Sequence, residues 1–360
     1  MNLKPMEIEI IRSGSTAVNA RKNSRQTLEE NWNSTRSGRL LRCKKAAEWL
    51  IHEQRHPDLK PLFGNFWLET ELCILFADTN LGKSILAVQI ADSLTRDYCI
   101  GPFKNNFSAD TRVLYVDCEL STRQFMIRYT DDEWGSHGFS DQFYRGELHP
   151  DMEDPVRAYN YENYIRNELE AAITDVKPQV LIIDNITYMR RGTQSTGEAL
   201  PLMKMLKALK AKHHLSILVL AHTPKRNACH PLTVNDLQGS KMLINFADSA
   251  LAIGQSQTQP HLRYLKQIKQ RSRDEQYGAD NVCLISREKE MSFLGFKFEG
   301  YANEADHLRK PEMGATDGEK QMVLDLHNQG KTLRQIANEL GMHFTSVGRI
   351  VRREKQRRVL

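Results

Sequence analysis

The chain has 360 residues, 40% of them apolar and 26% charged, with 12 prolines. That length holds two or three domains with full cores, and the composition excludes a disulfide-stapled miniprotein, a fibrous repeat and wholesale disorder. Lys and Arg number 50 against 45 Asp and Glu, a net charge of +5, and the last twelve residues, RIVRREKQRRVL, carry all of that excess, so a neutral body ends in a basic tip suited to a polyanion.

Residues 1–35 are polar with no sustained period and read as a mobile arm. From Ser37, a common N-cap residue, the stretch GRLLRCKKAAEWLIHEQ predicts an amphipathic helix over 38–53, with Leu40, Leu41, Ala47, Leu50 and Ile51 on one face. HPDLKPLFGNF then supplies linker punctuation and closes an N-terminal piece, 1–60. Residues 61–300 repeat a strand, a turn and a helix. Strands are predicted at 72–77, 113–117, 180–184, 215–221 and 250–253, and helices at 84–94 and 199–212. Several of these strands are unbroken apolar runs, as strands covered on both faces require, so the expected fold is α/β, doubly wound, with a mostly parallel sheet. The stretches 261–268 and 281–285 flank the polar turn SRDEQYG and read as a hairpin. Residues 301–316, with Pro311 and Gly314, read as a linker to a small all-α piece, 317–360. The six cysteines, at 43, 73, 99, 118, 229 and 283, form no CxxC pair, and reduced, mostly buried thiols are expected. No apolar run reaches the roughly 18 residues of a membrane span and MNLKPMEIEIIRSGST lacks a signal-peptide core, so a cytoplasmic protein is expected.

Two motifs carry chemistry. Strand ELCILF, the loop Ala77, Asp78, Thr79, Asn80, Leu81, and Gly82, Lys83 and Ser84 opening a helix form a P-loop. Backbone N–H groups and a helix N-terminus cradle phosphates there, the lysine neutralises phosphate oxygens and the hydroxyl serves Mg2+. Ala77 stands where the first glycine usually sits, which a strand-like φ permits. The apolar strand VLIID ends in Asp184, placed to hold Mg2+ at a strand C-terminus together with Ser84. Between them RVLYVDCELS delivers Asp117 and Glu119; Glu119 is the first candidate for the base that activates water, and Asp117 the second.

The C-terminal piece carries a third motif. Counting from Leu333, Ile336, Ala337, Leu340, Gly341, Met342, Val347 and Ile350 occupy the small, turn and core positions that a helix-turn-helix needs. Its second helix, over 345–353, offers Thr345, Ser346, Arg349, Arg352 and Arg353 to DNA. This segment resembles the helix-turn-helix of resolvases and sigma factors.

The order of P-loop, strand ending in glutamate, Asp184 strand and SILVLAHT resembles the RecA-like ATPase core, in the branch of DnaB and the plasmid RepA-type hexameric helicases. NDLQGSKMLINFADSALAI resembles a segment of that branch at Asp236, Leu237, Ala247 and Asp248. The resemblance implies ATP and Mg2+ as ligands, Glu119 as catalytic glutamate, His222 as γ-phosphate sensor, and Lys269 and Arg271 of LKQIKQRSR as a finger reaching the neighbouring subunit. It also implies a homo-oligomer, a hexameric ring acting on DNA as the motor of a plasmid or mobile element. Asn185 after the aspartate and the lack of a DnaB-like N-terminal domain depart from that pattern and leave open an ATP-gated DNA-binding regulator without strand separation.

Overall fold

A computed structural model of the protein describes residues 41, 43–148, 161–189, 196–224, 226–237, 241–310 and 316–357; the expected arm and its Ser37 cap lie outside them. The chain divides into two compact units, Met1–Asp58 and Leu59–Leu360. In the first, helix α1 spans Ala46–Glu53, not 38–53: Lys45 is its extended N-cap, and Leu41 is outside it. Lys44 and Lys45 carry positive charge that disfavours a helix N-terminus, whereas Glu48 in the first turn favours one. Leu50 and Ile51 are exposed.

The second unit is built on a nine-stranded sheet. Its strands are β1 (Leu72–Ala77), β2 (Val113–Asp117), β3 (Phe143–Glu147), β4 (Val180–Asp184), β5 (Ser216–His222), β6 (Ser249–Gln255), β7 (Leu262–Gln270), β8 (Val282–Glu290) and β9 (Phe293–Ala302). The order across the sheet is β9-β8-β7-β6-β1-β5-β4-β2-β3. The six strands from β6 to β3 run parallel, and β7, β8 and β9 continue antiparallel. The expected mostly parallel α/β sheet is therefore present.

Side chains alternate across the sheet with the two-residue period of a strand. Cys73, Leu75 and Ala77 of β1 enter one core and Leu72, Ile74 and Phe76 the other. The first core is sealed by α2 (Lys83–Arg96) and by Phe296 of β9; the second by α4 (Tyr161–Val176) and α5 (Thr196–His213). Short helices α3 (Thr122–Arg128) and α6 (Lys241–Phe246) follow β2 and precede β6.

Two expectations are corrected here. The linker does not begin at 301, because β9 runs to Ala302 and a 3-10 turn over Glu304–His307 buries Glu304 and His307. Glu304 accepts hydrogen bonds from Lys266 Nζ, Tyr264 Oη and the Leu232 N–H, which fixes this segment to the core. The thiols are free, but only Cys73 and Cys283 are buried; Cys43 and Cys99 are exposed.

The C-terminal helices are α7 (Asp317–Asn328), α8 (Leu333–Glu339) and α9 (Phe344–Arg357). Capping boxes at Thr316/Glu319 and Thr332/Gln335 start the first two. Val323, Ile336, Ala337, Val347 and Val351 form a core of their own, with Leu340, Met342 and Ile350 packed on it. Gly341 turns between α8 and α9 at φ +61°, a conformation that favours glycine.

Candidate active site

The site lies where β1, β5, β4 and β2, four adjacent parallel strands, end together. The P-loop residues follow β1: Ala77 is fully buried within the strand, while Asp78, Thr79 and Asn80 are exposed. Ala77 keeps strand pairing with His222 and Ile253, so the missing glycine costs nothing in backbone strain. Freedom is needed instead at Gly82, the left-handed N-cap of α2 with φ +95°, where a Cβ would stand 2.6 Å from Phe296 Cζ. Gln89, two turns into α2, exchanges hydrogen bonds with the backbone N–H and C=O of Phe296, each 2.8 Å. Strand β9 thus floors the phosphate loop.

Lys83 is buried, and its ammonium donates to the Ala77 and Asp78 carbonyls at 3.0 and 3.1 Å and approaches His222 Nδ1 at 3.3 Å. Burial pulls its pKa below the usual lysine value, opposed by Asp184, Glu119 and Asp78. Because an ammonium only donates, Nδ1 accepts and the ring proton sits on Nε2, 3.2 Å from Glu119 Oε1. Asn185 Nδ2 donates to the same Oε1 and lies 2.8 Å from His222 Nε2. The Glu119 pKa falls below the ordinary carboxylate value, first through the His222 hydrogen bond and against the effect of burial.

Asp184 is 1% exposed. Burial pushes its pKa up to about 6, while the Ser84 and Tyr115 hydroxyls pull it back. Tyr115 Oη donates to Oδ2 at 2.6 Å, yet Oδ1 is buried with no hydrogen-bond partner among the described residues. An orphaned carboxylate oxygen beside a serine hydroxyl is an all-oxygen donor set, which fits a hard divalent cation.

Asp117 has a different task. Its Oδ2 is clamped by Arg145 Nε and Nη2 at 3.1 and 3.0 Å, and its Oδ1 accepts the Glu119 and Leu120 N–H groups. It orders the loop that carries Glu119 and has no oxygen left for water. Arg145 carries no sequence signal, since it sits in FYRGE on the edge strand β3. Tyr115 had one: it alternates with Asp117 on a strand and therefore faces the same side.

Lys269 and Arg271 are not brought to this site. Lys269 pairs with Ala250 near the start of the parallel strands, four residues along β7 from Leu265, which is level with Ala77 through Ile253; that is about 13 Å along the strand. Lys269 Nζ donates to the Ile244 and Ala247 carbonyls at 2.6 and 2.8 Å, and Arg271 Nη2 to Asn245 O at 2.8 Å. Both cations therefore cap the C-terminal end of α6, a favourable place for positive charge. Asp248 is tied to the Leu72 N–H and Lys210 Nζ.

On α9, Thr345, Arg349, Arg352 and Arg353 are exposed and Ser346 is half-buried. Arg349 reaches back to Thr345 O and Ser346 Oγ at 3.4 and 3.5 Å, so these residues form one polar, basic face. No helix among the described residues is long and apolar enough to cross a membrane.

A family described as an AAA domain matches residues 39–228, just over half of the chain. No curated protein matches. Among solved structures, a KaiC-like protein from the hyperthermophilic archaeon Pyrococcus horikoshii is similar at 12% identity over 65% of this chain and 91% of that one, with a TM-score of 0.44, a likeness too loose to carry an argument.

Proposed function

The chain belongs to the AAA-domain family and is an ATPase, and from that premise we propose that it hydrolyses ATP with Mg2+ at the Lys83 loop and couples turnover to DNA, as a DnaB/RepA-type helicase or translocase of a plasmid or mobile element. The observation that carries this reading is the convergence of Lys83, Asp184, Glu119 and His222 at four adjacent strand ends. In it, residues 77–84 cradle the phosphates and Lys83 exchanges its loop carbonyls for phosphate oxygens. Ser84 and Asp184 hold the Mg2+, which neutralises phosphate charge when bound. Glu119 takes the proton of the attacking water and His222 responds to the γ-phosphate through the atoms it shares with Lys83 and Glu119.

The subunit arrangement in this reading is a ring, hexameric in the resembled branch, in which Lys269 and Arg271 serve a neighbour's site. Their distance from the P-loop of their own chain supports action in trans. Arg271→Ala then abolishes hydrolysis and weakens nucleotide binding only modestly, because a finger acts on transition-state charge. Mixing inactive Arg271→Ala with inactive Lys83→Ala subunits restores part of the activity, measured as phosphate release; no recovery despite verified co-assembly rejects the shared site.

The separate core of α7–α9 favours a second reading, an ATP-gated regulator that holds duplex DNA without separating it; strand displacement distinguishes the two. In either case removing residues 316–360 leaves basal ATPase largely intact and weakens duplex binding. The lost affinity is electrostatic, so the salt dependence becomes shallower by about one unit of log–log slope per lost phosphate contact. Unchanged affinity and slope in the truncated protein reassign the three helices to protein contacts.

A further inference from the structure

Asn185 is 1% exposed at the end of β4, directly after the aspartate assigned to Mg2+, and none of the roles above uses it. Its amide is fixed in orientation, because Oδ1 accepts the Thr187 N–H at 2.8 Å. Nδ2 is thereby turned toward Glu119 Oε1 and His222 Nε2. Three side chains from three different strands meet at that point.

Glu119 needs such a partner. Its loop is ordered by Asp117, but Asp117 holds backbone N–H groups and does not touch the Glu119 carboxylate, which sits on a side chain with three rotatable bonds and is 31% exposed. Two N–H donors converge on Oε1, and among the described residues no hydrogen bond reaches Oε2. With the ring proton on Nε2, the 2.8 Å approach of Asn185 Nδ2 to His222 Nε2 sets two donors side by side, and an ionised carboxylate accepting both relieves that crowding.

We propose that Asn185 is a positioning residue for the base: it holds Oε1 of Glu119 so that Oε2 is the oxygen presented to water. This rests on the reading of Glu119 as the base. Aspartate at 185 keeps the shape and the Thr187 contact but sets a like charge against Glu119, and alanine removes the donor without adding charge. Both leave the phosphate loop untouched.

The test is steady-state ATP hydrolysis by Asn185→Asp, Asn185→Ala, Glu119→Gln and the double variant Asn185→Ala/Glu119→Gln, with binding of a fluorescent ATP analogue. Both Asn185 variants lose about 10- to 100-fold in kcat, the range for a misplaced catalytic group, with KM and analogue Kd within about twofold of wild type. The double variant is no slower than Glu119→Gln alone, since a group acting through Glu119 has nothing left to position. Losses that multiply, a loss carried by KM, or wild-type kcat in Asn185→Ala overturn the proposal. A fast Glu119→Gln rejects the base itself; a slow Glu119→Gln beside fast Asn185 variants rejects the positioning role alone.

Discussion

Lys83→Ala is expected to remove ATP turnover and leave the fold in place. The three partners of the ammonium are two backbone carbonyls and His222 Nδ1, all of them polar atoms. The Ala77 carbonyl keeps the Thr223 N–H as a donor at 3.0 Å after the change, so it is not orphaned. Deleting a charge already disfavoured by burial offsets the lost hydrogen bonds, and stability shifts by only about 1 kcal/mol. The catalytic loss is far larger, because nothing else among the described loop residues supplies positive charge to the phosphates. Phosphate release and thermal melting measured together check both halves; wild-type hydrolysis rejects the P-loop assignment.

Glu119→Gln is expected to bind ATP and turn it over at least about 100-fold more slowly, the usual scale for losing a positioned base. Glutamine keeps an oxygen for the Asn185 and His222 donors, so the network survives while the proton acceptor is gone. Trapped, unhydrolysed nucleotide on the purified variant is the direct readout. A fully active variant means that the base lies elsewhere, and Asp117 is not the replacement, because Arg145 and two backbone N–H groups already occupy its oxygens.

The central strands were legible because burial on both faces writes itself as uninterrupted apolar residues: β1, β2 and β4 begin and end at the predicted residues. The edges were not. Strand β3, FYRGE, is half-exposed with no alternation, and β9 contains Gly295 and Gly300, a residue type that weakens a strand's signal. Gly295 is there because Gln89 Nε2 would lie 3.0 Å from a Cβ, and Gly300 lies at a bulge with φ +142°. Within the site, Lys83, Ser84, Glu119 and Asp184 announce themselves through neighbours in sequence. Arg145, Tyr115 and Asn185 act on groups from other strands, and such pairings exist only after the sheet has formed. Asn185 was visible as a departure from the resembled pattern, but its task required Glu119 and His222 to stand beside it. The three C-terminal helices were legible because the residues that make their core, Val323 to Val351, lie close together in sequence.

The floor beneath the phosphate loop has a consequence for how the protein is made. Gln89 and Phe296 are 207 residues apart, and Gly82 meets the same phenylalanine. A ribosome that has delivered the P-loop motif must still add about 10–40 s of synthesis before its partner strand leaves the exit tunnel. Until then the loop and the first turns of α2 expose apolar surface that β9 later covers, and the nascent chain cannot hold nucleotide in its mature geometry. Products that stop short of β9 therefore carry every residue of the nucleotide motif without the strand that floors it, and their uncovered apolar surface exposes them to aggregation and to proteases.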